Sequence, residues 1–89
     1  MENDRRKTIV LIDDDFVIRD VIRRLLGEFK VYSTDNGVEG LGYIYISKPS
    51  LIIIDTTLPK YGGLEVVDYI ANNEALKGKN IPILVIHEE

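Results

Sequence analysis

Cysteine and tryptophan do not occur in this 89-residue chain, and histidine occurs once. Without cysteine, neither a disulfide staple nor a thiolate metal site can form, which fits a reducing compartment. Long apolar runs are missing too. Residues 1–7 are polar and charged, and no later stretch has the length of a signal peptide or a membrane span. The cytoplasm is therefore the expected location, and residues 1–6 are expected to be a flexible leader ahead of a domain at 7–89. There is no excess of basic charge: 11 Lys and Arg stand against 15 Asp and Glu, for a net charge of −4. That balance argues against nucleic acid as a partner of this chain. Internal repeats and low-complexity segments are absent as well. What remains is 45% hydrophobic, which is globular composition rather than disordered. The length suits one domain, of a size that buries only a modest fraction of its surface.

The stretch that organises the chain is Leu51-Ile52-Ile53-Ile54-Asp55-Thr56-Thr57-Leu58-Pro59. A short, unalternating apolar run suits a strand covered on both faces, as in a parallel sheet. Asp55 then falls where the strand ends and a loop with Pro59, Gly62 and Gly63 begins. In open α/β sheets that edge is where ligands bind.

The remaining elements follow in order. Lys7 to Ile12 reads as a second buried strand, rich in β-branched residues, and it runs into Asp13-Asp14-Asp15. A helix to about Leu26 is expected next, with Ile18, Val21, Ile22, Leu25 and Leu26 as its apolar stripe. Asp14 or Asp15 can cap it, Gly27 can stop it, and Arg19, Asp20, Arg23 and Arg24 read as a solvated face. Phe29 to Thr34 alternates and reads as an edge strand with one wet face. Val38 to Ile46 is a helix carrying Gly40 and Gly42, which cost roughly 1 kcal/mol each against alanine; packing of Leu41, Ile44 and Tyr45 must compensate. Leu64 to Asn72 forms a third helix with Leu64, Val67, Ile70 and Ala71 inward. Glu74 to Asn80 is a polar connector, and Ile81 to Ile86 is a fourth strand, with Pro82 near its start. Tyr32, Tyr43, Tyr45, Tyr61 and Tyr69 are spread over different elements and read as core and rim. Strands alternating with helices imply an α/β fold with a parallel sheet and right-handed crossovers.

Two of these strands, Lys7–Ile12 and Leu51–Ile54, end in acids at the same edge. Neighbouring strands lie about 4.8 Å apart, so Asp13, Asp14 and Asp55 can converge on one cation. Crowded carboxylates repel unless a cation neutralises them. A hard divalent ion with oxygen ligands, Mg²⁺ first, is the natural partner, and it shares its remaining positions with phosphate oxygens. The site therefore points to phosphoryl transfer. The bland alternative is that the acids only cap the helix and loop that follow them.

The segments Lys7–Leu26, Asn36–Leu41, Pro49–Glu65 and Ile81–Ile86 together resemble a response-regulator receiver domain. An acidic pair after the first strand and a lone Asp after the third, followed by Leu-Pro and Gly-Leu-Glu, carry the resemblance, which covers nearly the whole chain. It implies a flavodoxin-like open parallel sheet in the order 2-1-3-4. Asp55 matches the acid that receives the phosphoryl group, Asp13 and Asp14 match the pair that holds Mg²⁺, and Thr57 matches the position whose backbone carbonyl is a further ligand. The implied donor is a phosphohistidine of a sensor histidine kinase or phosphotransfer protein. Such a domain is a phosphoacceptor in signalling rather than an enzyme in the ordinary sense.

The match has two departures. Where the family carries Thr or Ser at the end of the fourth strand, this chain has His87; His87 and Thr56 are the candidate phosphate contacts. The family also continues with a further helix, strand and helix, including a Lys that pairs with the phosphoryl group, and the chain ends before them. The Ile81–Ile86 edge is then expected to be exposed, a template for strand pairing, so a homodimer through that edge or by exchange of elements is expected. Two other functions compete. One is a degenerate receiver acting as a phosphorylation-independent dimerisation module. The other is a haloacid-dehalogenase-like phosphatase fragment, in which Asp13 is the nucleophile and Asp15 the acid/base of an Asp-x-Asp pattern. That pattern leaves Asp55 unexplained.

Overall fold

Four parallel strands and four helices build the protein, seen in a computed structural model that describes residues 5–56 and 63–86. The order along the chain is β1 (Thr8–Ile12), α1 (Phe16–Leu25), β2 (Lys30–Thr34), α2 (Gly37–Ser47), β3 (Leu51–Asp55), α3 (Gly63–Asn72), α4 (Glu74–Lys77) and β4 (Ile83–Ile86). The sheet order is β2-β1-β3-β4 and every pairing is parallel. This is the flavodoxin-like 2-1-3-4 arrangement, with β1 and β3 adjacent at the point where the strand order reverses.

The two central strands are apolar on both sides because both sides are covered. Val10, Ile12, Ile52 and Ile54 face Ile44 of α2, Val66 and Ile70 of α3, and Leu76. Ile9, Leu11 and Ile53 face the other way, toward Ile22, Leu26 and Phe29. Helix α1 is thus the only helix on its face among the described residues, while α2, α3 and α4 share the opposite one.

That asymmetry reshapes several expected stripes. On α1, Ile18, Ile22 and Leu26 are partly buried, but Val21 is exposed and Leu25 is 75% exposed, because no second helix flanks α1 in the described chain. On α3 the inward residues are Gly63, Val66, Val67 and Ile70 rather than Leu64 and Ala71; Leu64 is 68% exposed. The rotation is set at Gly63, where a β-carbon would come within 2.7 Å of Thr56 Cα. Only glycine lets the helix start this close to the end of β3. In α2, Tyr43 rather than Tyr45 packs against the core, stacked on Tyr32 at 5.3 Å. Tyr45 is exposed and its hydroxyl accepts from Asn73 Nδ2 at 2.7 Å. The expected polar connector after α3 contains the one-turn helix α4, which places Leu76 in the core. Strand β4 begins at Ile83, two residues late, after Asn80 with φ of 51° and Pro82, which has no N–H to give. The edge strand β2 has no fully wet face: Val31 is covered from the α1 side and Tyr32 from the α2 side. Tyr61 lies outside the described residues.

Caps close the helices. Asp15 accepts from the main-chain N–H of Val17 at 2.8 Å and of Ile18 at 3.4 Å, and Asn36 accepts from Glu39 N–H at 2.7 Å. The two glycines of α2 differ in kind. A β-carbon on Gly40 would lie 2.6 Å from Ile12 Cγ1, so α2 and β1 approach each other through this position; Gly42 faces open space. Gly40→Ala is therefore expected to destabilise the fold by about 1–3 kcal/mol through overpacking. Gly42→Ala is expected to stabilise it by about 0.5–1 kcal/mol through helix propensity. Urea unfolding of both variants checks the opposite signs.

Candidate functional site

Register builds the site. β1 and β3 pair with Ile12 beside Ile54, so the next residue on each strand, Asp13 and Asp55, emerges side by side at the carboxyl edge. Each is 1% exposed. Asp14 follows on the loop and is exposed. One carboxylate oxygen from each of Asp13, Asp14 and Asp55 lies within 4.8 Å of the others. The sequence expectation of three converging acids is met.

The local geometry of Asp13 is closely specified. Its N–H donates to Thr34 O at 3.0 Å, extending the β1–β2 ladder by one bond. Its Oδ1 accepts from Asp15 N–H at 2.8 Å, and its main-chain oxygen accepts from Arg19 Nη1 at 2.7 Å. Asp15 itself is committed to the N-terminus of α1. The capping role left open between Asp14 and Asp15 thus falls to Asp15, and the phosphatase reading would need that same carboxylate as its acid/base. On the β3 side, Thr56 N–H donates to Ile86 O at 3.1 Å, and its hydroxyl points to the same oxygen at 3.5 Å. The carboxyl end of β3 is in this way tied to the end of β4. Thr57 and His87 lie outside the described residues.

The donor set fits Mg²⁺. All three groups are carboxylates, the hard oxygen ligands this ion takes, and it retains several waters besides. The three carboxylate oxygens lie within 4.8 Å of one another, so Asp13, Asp14 and Asp55 would hold such an ion between them, directly or through a bridging water. The N-termini of α1 and α3 both start at this edge, immediately after Asp15 and against the end of β3. Their dipoles favour negative charge there.

Periodicity missed three contributors. Arg19 reads as a solvated-face residue, yet its guanidinium reaches the loop that carries the acids. Thr34 supplies the carbonyl that holds Asp13. Gly63 brings α3 against Asp55 and Thr56. Periodicity cannot show these roles, because each depends on a main-chain acceptor, a main-chain carbonyl or a close approach that the order of side chains does not encode. No helix among the described residues is long and apolar enough to cross a membrane.

Comparison with known proteins agrees with this geometry. Residues 9–89 match the family profile of the response regulator receiver domain. The response regulator MprA of Mycobacterium sp. (strain KMS) is 35% identical over 81 residues, covering 88% of this chain and 33% of that protein. The MprA of Mycobacterium avium (strain 104) matches with the same identity and coverage. The chain thus spans about one third of the length of these relatives. Among solved structures, the phosphorylated cyanobacterial phytochrome response regulator RcpA superposes with a TM-score of 0.84 at 28% identity, over 94% of this chain and 66% of that one. The N-terminal domain of a response regulator receiver protein from Methanoculleus marisnigri JR1 gives 0.80 at 27% identity, over 89% and 64%. With the sheet order, the acid cluster and a profile match across most of its length in accord, this chain belongs to the response regulator receiver domain family.

Proposed function

We propose that this receiver domain, a module of two-component signalling, accepts a phosphoryl group on Asp55, with Mg²⁺ held by Asp13, Asp14, Asp55 and the backbone carbonyl of Thr57. The single observation that carries the reading is the convergence of the three carboxylates at the edge between β1 and β3. RcpA, 28% identical, was solved in a phosphorylated state, which supports the same chemistry here. The donor is a phosphohistidine of a sensor histidine kinase or phosphotransfer protein.

The chemistry follows from the positions. A carboxylate oxygen of Asp55 attacks phosphorus in line; the O–P bond forms as the N–P bond to the donor imidazole breaks, and the departing imidazole keeps its nitrogen lone pair. Bound at this cluster, Mg²⁺ would neutralise charge on the transferred oxygens. Asp13 and Asp14 would hold the metal, and burial of Asp13 and Asp55 keeps their carboxylates in place before the donor arrives. Thr56 and His87 are the candidate contacts to the transferred group. The protein is read as a signalling phosphoacceptor, and the only catalysis it needs is of its own modification.

A second reading, a homodimer acting as an interaction module, draws on β4. It is an edge strand, and Leu84 and Val85 are 53% and 46% exposed on its opposite faces. An apolar edge with open backbone groups pairs readily with another strand, and a two-fold axis would join two sheets at Ile81–Ile86. Exchange of elements between chains is the other route to the same state.

Three outcomes are expected. Native mass spectrometry with Mg²⁺ and acetyl phosphate should record one phosphoryl adduct per chain, abolished in Asp55→Asn. In Asp13→Asn, Mg²⁺ affinity should fall by more than about tenfold, the loss typical even of an outer-shell partner. Loss of the adduct with Asp13→Asn but not with Asp55→Asn would favour the phosphatase instead. Sedimentation at micromolar concentration should give a dimer that Val85→Lys returns to monomer, and a wild-type monomer would rule out the pairing.

A further inference from the structure

We propose that Arg19 is the positioning residue of the acid cluster, holding the peptide between Asp13 and Asp14 so that Asp14 is aimed at the metal; this rests on the Mg²⁺ reading above. Arg19 lies on the first turns of α1, six residues after Asp13. Its Nη1 donates to the main-chain oxygen of Asp13 at 2.7 Å, and a bond from an ionised donor is roughly twice as strong as a neutral one. The arginine is itself anchored: its N–H donates to Asp15 O at 3.0 Å, and its guanidinium carbon lies 5.9 Å from the centre of the Phe16 ring.

The three acids differ in what holds them. Asp55 is the last residue of β3 and is buried. Asp13 is buried and bonded through both its N–H and its Oδ1. Asp14 is exposed, one residue beyond the ladder. Where its carboxylate lies depends on the plane of the peptide before it, and that plane carries the oxygen to which Arg19 donates. Fixing one end of a peptide unit fixes the direction in which the next α-carbon leaves, because the unit is rigid. Arg19 thus supplies to Asp14 the order that burial supplies to the other two.

A rival effect has the opposite sign. A guanidinium near the cluster repels a cation, so removing it would tighten Mg²⁺ binding if charge were its main influence. If positioning dominates, removing it loosens binding.

Isothermal titration of the whole chain with Mg²⁺ alone separates the two. Arg19→Met keeps the aliphatic stem on Phe16 while removing both donor and charge, and Arg19→Ala removes all three. Both are expected to weaken Mg²⁺ binding by about 10- to 100-fold, the range for a residue that orients a metal ligand. Arg19→Lys, which retains a donor, should recover part of the loss. Asp20→Ala, which breaks only the exposed pair with Arg24, should bind as wild type. Wild-type or tighter affinity in Arg19→Met overturns the proposal, even if Arg19→Ala does not fold. A wild-type chain that binds no Mg²⁺ overturns the metal reading itself, a result distinct from any Arg19 effect.

Discussion

The structure depends on the parallel pairing of β1 with β3. Both strands are buried on both faces, so neither can slide without exposing isoleucine, leucine and valine to water. The register that satisfies burial sets Ile12 beside Ile54, and it therefore sets Asp13 beside Asp55. A slip of one residue would move the acids apart by about 3.3 Å and turn the slipped strand over. The hydrophobic core thus does more than stabilise the domain: it brings together two carboxylates that would otherwise repel, and burial of the strands behind them offsets that cost.

Around this pair the chain places its tightest contacts at glycine. Gly40 lets α2 lie on Ile12, the residue before Asp13; Gly63 lets α3 begin against Asp55 and Thr56. Both glycines bring a helix close to the last residues of a central strand. Gly42, in the same helix as Gly40, meets nothing. The same residue type therefore costs helix stability at one position and gains packing at another, and only the neighbours distinguish them.

Along β1 and β3 the sequence could be read almost directly. A run of β-branched and apolar residues ending in an acid has few ways to be satisfied, and two such runs in an alternating β/α chain suffice for a parallel sheet with an acidic edge. Helix stripes were legible only where one face of the helix had a single partner. On α1, Val21 and Leu25 carry the apolar period yet stay exposed because that face of the sheet holds one helix. On α3, Val66 was missed because Leu64 and Ala71 fit the period equally well, and the rotation was decided by the contact at Gly63. The turn containing Leu76 was hidden among polar neighbours, since one buried residue in a short segment makes no period.

For this protein, the sequence by itself determined which acids stand at the ends of the central strands, because an acid at the end of a buried strand is a local feature of the chain. It also determined that the cluster offers only carboxylate oxygens as donors. The tertiary structure decided the distances and the supporting contacts: the 4.8 Å limit among Asp13, Asp14 and Asp55, the rotation of α3, and the reach of Arg19 to the Asp13 carbonyl. Those depend on main-chain atoms and on the close approach of elements distant in sequence, and neither leaves a pattern in the order of side chains.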